Sequence, residues 1–256
     1  MSFNAFAAFV YVTETEHEAV MRMYDWKEKY FDNDRQLYME SSFKKDGKDY
    51  LVVCARQNEM GMTASATLSM KLIDHYRPMY LVMPGIAAGT GEETADDQIF
   101  GDVVLANSIW NCSNGKFVPP ELADIKFGSV GFKPRPTYID ISPELISYFN
   151  EAISSDKNET HVHLGAIASG SAVVATREFI DKQIHSQSKN TKGLEMEGYG
   201  VFYAAENATE PRPLPIVAKS ICDFADSRKS DVYQKFAAMT SCEFVKFLVE
   251  NYLPIR

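Results

Sequence analysis

The chain has 256 residues, 45% of them hydrophobic and 24% charged, with a formal net charge of -9. That length and balance suit one globular α/β domain with a sizeable core, and the acidic excess argues against DNA or RNA as a partner. No run approaches the roughly 20 apolar residues of a membrane span, and the four scattered cysteines read as free thiols of a reducing, cytoplasmic compartment.

The N-terminus lacks a basic segment, and its short aromatic run predicts a buried strand over 6–12 rather than a signal peptide. "TETEHEAV" follows, with Glu14, Glu16 and Glu18 opening a helix predicted over 16–30. Acidic residues in a first turn favour the helix dipole, so a structural role is the default. Strands are predicted over 37–42 and 50–54, a helix over 63–75 and a strand over 79–83. The next segment, "MPGIAAGTGEE", is a small-residue turn whose amides can approach a ligand closely. It matches neither phosphate-binding glycine pattern.

A strand over 102–107 leads into residues 111–137, rich in Pro and Gly, which read as a long loop. A helix over 143–154, a strand over 163–168 and a helix over 172–181 come next. "GAIASGSAVVA" repeats the strand, small turn, helix form, and in α/β sheets ligands sit at the carboxyl ends of strands. Residues 186–192 read as an exposed loop. "GLEMEGYG" then sets Glu195 and Glu197 either side of Met196, where a helix over 197–207 begins. Asp223 follows a strand over 216–221; it is either a general acid or the N-cap of the next turn. The apolar spacing of a last helix over 233–252 indicates core packing. The five histidines form no cluster with metal-ligand spacing, and no metal or cofactor is expected.

Taken in order, "NEMGMTASA", "PGIAAG", "GDVVLAN", "IASGSAVVA", "LEMEGYG" and "SICDFAD" resemble the nucleoside phosphorylase/nucleosidase superfamily, most closely its methylthioadenosine/S-adenosylhomocysteine nucleosidase branch. The likeness covers nearly the whole chain, and its most specific part is the pair "EME" and "CDFAD". Some similar bacterial domains are fused to signalling or defence modules, for which this chain leaves no room. The resemblance implies a three-layer α/β/α sandwich with a central mixed, partly closed sheet, cleavage of a ribosidic N–C bond, and a homodimer acting on a small nucleoside or nucleotide.

By position, the resemblance implies that Glu197 grips the ribose hydroxyls, accepting from two at once, with Met196 against the sugar. Asp223 protonates the departing purine. Glu18 takes the proton of the attacking water, with Glu16 as the alternative. The backbone at Val173 and Val174 meets the base, and Ile86, Ala87 and Met60 border the substrate. Phosphorylases of the superfamily hold phosphate through an Arg before the glycine turn and a Ser or Thr within it. Here Met83 and Ile86 stand there, and neither bonds an anion, which favours water as nucleophile. Cys222 replaces the usual Ser before the acid, and Val173 replaces the aromatic that stacks on adenine; Phe224, Tyr199 and Phe202 are candidates to supply a ring instead. Arg228, with Lys229, is placed to reach a 5'-phosphate or else forms a solvated basic turn. The alternatives to a hydrolase are a phosphorylase or a binding module without turnover.

Overall fold

The computed structural model describes residues 2–94, 96–227 and 230–256. Its centre is a ten-stranded mixed sheet. β1 (Ala5–Tyr11) lies between β4 (Lys48–Arg56) and β5 (Pro78–Gly89), parallel to both. β1 is buried at every position, so its apolar run has no polar alternation, as expected of a strand covered on both faces. β3 (Asp34–Lys45) pairs antiparallel with β4, and β2 (Lys27–Phe31) forms the edge.

The other half closes on itself. β5 pairs with β12 (Thr191–Glu195), β12 with β11 (Val162–Ser169), and β11 with β6 (Val103–Asn111). β13 (Leu214–Asp223) then pairs with both β6 and β5 and completes the ring. This is the partly closed sheet expected from the resemblance. β10 (Thr137–Asp140) flanks β6.

Helices cover both faces. α2 (Met62–Tyr76) and α5 (Gly198–Glu206) pack together on one side; α1 (Glu14–Met21), α3 (Pro143–Ile153) and α6 (Gln234–Asn251) lie on the other. The α2–α5 approach is close: a Cβ added at Gly200 would stand 2.2 Å from the Met62 carbonyl oxygen. In α6, Phe244 and Leu248 are buried, as the spacing predicts, whereas Phe236 at the same spacing is exposed near the helix start.

Five predicted elements differ. The turn expected straight after a strand over 79–83 is instead the second half of β5, which stays extended to Gly89. The first helix stops at Met21 rather than at residue 30. The Trp26 indole N–H donates to the Val20 carbonyl at 2.8 Å and satisfies the helix end, and the chain turns back as β2. Lysines at this sheet edge discourage pairing with another chain, and they also disguise the strand in the sequence. Residues 111–137 contain a small antiparallel sheet of β7 (Gly115–Val118), β8 (Ile125–Phe127) and β9 (Val130–Pro134). The segment 186–192 ends inside β12. The helix expected over 172–181 does not begin until α4 (Arg177–Phe179), which runs on as a wide turn to His185. Residues before it stay extended and largely exposed.

Candidate active site

Strand ends and the turns after them meet in a cavity of about 350 Å³. Val12 and Thr13 come from the end of β1, Ile86 and Ala87 from β5, Glu195 and Glu197 from the end of β12, and Asp223 from the end of β13. Met60, Val173, Val174 and Met196 also line it. Eight expected site residues therefore converge: Asp223, Glu197, Met196, Val173, Val174, Ile86, Ala87 and Met60.

Glu18 does not join them. Its carboxylate is half-exposed on α1 and pairs with Lys235 at 2.6 Å. Glu16 takes the inward place. It forms a capping box with Thr13, whose Oγ1 accepts the Glu16 amide at 3.1 Å. Glu16 Oε2 accepts the amides of Val12 and Thr13, both at 3.0 Å, and Oε1 accepts that of Ile86 at 3.1 Å. Burial opposes its ionisation, but Lys219 and those three amides outweigh it, and the carboxyl sits below the usual range. The close approach requires Gly85. Its φ is 151°, and an added Cβ would lie 2.0 Å from Glu16 Oε1 and 2.7 Å from Lys219 Nζ.

Lys219 was given no role by the sequence. It is fully buried on β13, its Nζ 3.6 Å from Glu16 Oε1 and 3.9 Å from Glu195 Oε2. Burial disfavours its charge, yet Glu16, Glu195 and Glu197 together raise its pKa, so it stays an ammonium. A lone lysine inside an apolar strand is the signal that could have marked it.

The two glutamates of "EME" separate. Glu195 Oε2 accepts the amides of Glu197 and Gly198 at 2.9 and 2.7 Å, and Oε1 accepts the Ser169 hydroxyl at 2.5 Å. It braces the turn. Glu197 Oε1 accepts the Gly61 amide at 2.8 Å. Burial and then the Glu195 carboxylate push Glu197 up to about 7, against the pull of Lys219 and the Gly61 amide. Asp223 is buried; its Oδ1 accepts the Ala225 amide at 2.8 Å, and the Cys222 thiol lies 3.6 Å from Oδ2.

Phe224 is not in this cavity. It packs edge-on against Phe100, 5.2 Å between ring centres, behind the acid. Tyr199 stacks on Tyr203, and Phe202 is buried in the core. Among the described residues no aromatic ring lines the cavity, so its apolar wall is aliphatic. Arg228 and Lys229 lie outside the described residues.

The model of the phosphorylase superfamily matches residues 27–248. The chain belongs to the phosphorylase superfamily. Among solved superfamily-like structures, the S-adenosylhomocysteine nucleosidase of Streptococcus pyogenes, in complex with 5-methylthiotubericidin, aligns over 100% of both chains with a TM-score of 0.75 and 22% identity. That likeness establishes the superfamily fold. Two curated relatives are similar in sequence. The uncharacterized protein y4jS of Sinorhizobium fredii is 28% identical over 244 residues, covering 90% of this chain and 56% of that protein. The ATP nucleosidase Cap17 of Escherichia coli is 26% identical over 228 residues, covering 82% of this chain and 43% of that protein. The chain spans about half the length of the curated relatives it matches.

Proposed function

We propose that the protein hydrolyses the N-glycosidic bond of a purine ribonucleoside or nucleotide, with Asp223 as acid, Glu197 as ribose ligand and Glu16 in place of Glu18 beside the attacking water. One observation carries this reading. Among the described residues, every charged side chain lining the cavity is acidic, and Glu16, Glu197 and Asp223 stand there together.

An acidic wall disfavours an anionic nucleophile. Phosphate would face Glu16 and Glu197 with the aliphatic Ile86 of β5 beside it, leaving oxygens unpaired. Water carries no such penalty. The same wall favours the positive charge that develops on the ribose ring as the base departs. Glu197, when ionised, has acceptor capacity left after the Gly61 amide and can receive two ribose hydroxyls. Asp223 delivers a proton to the imidazole side of the purine, so the base departs neutral. Glu16 is held below the usual range, which keeps it ionised but makes it a weak base. Its larger part is therefore to orient water and stabilise the cationic ring; as the C–O bond forms, the bound water becomes strongly acidic and passes its proton to the Glu16 carboxylate.

The relationship to an ATP nucleosidase supports a nucleotide substrate. A 5'-phosphate would lie outside the acidic cavity, and Arg228 is the residue expected to meet it. The test is chromatography of free base released from adenosine, AMP and ATP, with and without inorganic phosphate. Hydrolysis predicts free base at equal rates in both; activity that needs phosphate and yields ribose 1-phosphate overturns it. A preference for ATP that Arg228→Ala abolishes supports the nucleotide reading, and equal rates on all three substrates refute it.

A further inference from the structure

Nothing in the sequence spacing marks a metal site, yet the fold assembles one set of ligands. His161 and His163 stand two residues apart at the start of β11, so they share one face of the strand. β6 runs parallel beside it in the register Val162 to Val103, which sets Asp102 opposite His161. Asp102 Oδ1 is 3.1 Å from His161 Nδ1, and Oδ2 is 2.8 Å from His163 Nε2. One ligand atom from each residue can be chosen so that all lie within 4.8 Å of one another. We propose that Asp102, His161 and His163 bind a divalent d-block cation of the zinc type, as a site separate from the acidic cavity.

The donor set fits that chemistry. Two imidazole nitrogens and one carboxylate oxygen suit zinc and its neighbours rather than Mg²⁺ or Ca²⁺, which prefer all-oxygen shells. Tetrahedral bonds of about 2.0–2.2 Å require ligand atoms about 3.4 Å apart. The Asp102 separations of 3.1 and 2.8 Å and the 4.8 Å bound on the whole set bracket that spacing. The carboxylate is already oriented: Asp102 is buried, and Oδ2 accepts the Ile99 amide at 3.0 Å. Such outer bonds fix metal ligands in place. Among the described residues, the two imidazoles are the ion-pair partners of Asp102. A dication bound here would compensate the buried Asp102 carboxylate. His161 is 62% exposed at its side chain, which gives the ion an entry path and leaves the fourth position to water.

None of the three residues lines the acidic cavity. The Val103 amide donates to the His161 carbonyl at 2.9 Å, and the Ile221 amide to the Asp102 carbonyl at 2.9 Å. The cation would thus pin the starts of β6 and β11 where β13 also joins them, and its primary readout is stability.

The test uses the whole chain without a histidine tag, stripped with a chelator and dialysed. Zn²⁺ is titrated calorimetrically, Co²⁺ by its visible absorption, and Tm is followed with and without Zn²⁺. The expected result is one Zn²⁺ per chain, tetrahedral Co²⁺ bands, a Zn²⁺-dependent rise in Tm, and no comparable response to Mg²⁺. His161→Ala and His163→Ala should each weaken Zn²⁺ binding at least roughly tenfold and abolish the Tm rise, while His185→Ala should change neither. Circular dichroism checks that each variant folds. Absence of stoichiometric binding, or binding retained in His161→Ala, overturns the proposal, the latter marking an adventitious surface ion.

Discussion

Replacing Lys219 with Met tests the electrostatic design of the cavity floor. The ammonium lies 3.6 Å from one Glu16 oxygen and 3.9 Å from one Glu195 oxygen, with Lys219 and Glu16 both almost wholly buried. At an effective dielectric of about 20, each attraction is worth about 4–5 kcal/mol before desolvation is charged against it. Met fills similar space but leaves the carboxylates without their counter-charge. Removing one partner of a buried pair costs about 3–5 kcal/mol, against a total stability of about 5–15 kcal/mol for a typical domain. The loss should depend on pH. In the native protein Glu16 is depressed, so it stabilises the fold above its unfolded value of 4.5, and that stabilisation fades as pH falls through the lower folded value. Without Lys219 the largest pull against burial is gone, and Glu16 rises. The variant is then penalised most where Glu16 must be ionised, near about pH 8, and less near about pH 5, where protonation relieves it. Urea denaturation at both values measures the difference. A loss below about 1 kcal/mol, or an equal loss at the two values, would refute the role assigned to Lys219.

Asp223→Asn should lower purine release by about 10²–10⁴-fold while sparing a p-nitrophenyl riboside, whose leaving group departs without protonation; equal losses on both would remove Asp223 as the acid. Glu16→Gln should cut kcat strongly, and Glu18→Gln, which breaks only the exposed pair with Lys235, should leave steady-state rates and Tm unchanged. The reverse pattern would restore Glu18. Glu197 should impose an acid limb on kcat/KM near pH 7, because the carboxylate that accepts ribose hydroxyls forms only as pH rises through that value. Glu197→Gln should erase the limb along with most of the activity, and a limb that persists in the residual rate belongs to another group.

Most of the sequence motifs located the cavity because they sit at or near strand ends, and strand ends meet in this fold; "GDVVLAN" opens β6 and lies away from it. They could not say which acid of "TETEHE" turns inward. At about 100° of rotation per residue, Glu16 and Glu18 point about 200° apart, so one acid must be nearly opposite the other. The deciding pattern was present: Thr13 and Glu16 have the spacing of a capping box, which folds Glu16 back over the helix start and against Ile86. Lys219 was legible only as a charge in an apolar strand, since its partners come from α1 and β12, far away in the chain. The helix expected over 172–181 failed for a related reason. The Arg177 guanidinium donates to the carbonyls of Thr90 and Gly91 at 2.7 and 2.9 Å, and that distant anchor fixes where the turn begins.

These long-range contacts also explain the charge state of the site. Glu16, Glu195 and Glu197 surround a single buried ammonium, so the cluster holds more negative charge than Lys219 can balance. The excess falls on Glu197, the member with the fewest backbone donors: three amides hold Glu16, two hold Glu195, and one holds Glu197. Burial first, and then that excess through Glu195, raise its affinity for a proton. A substrate that brings hydroxyl donors to Glu197, and then positive charge to the ring, supplies the compensation the resting cluster lacks. Neutral ribose supplies part of it through hydrogen bonds, and the cationic ring supplies more. On the proposed hydrolysis the cluster is expected to bind the transition state more tightly than the ground state, which is the condition for acceleration rather than mere affinity.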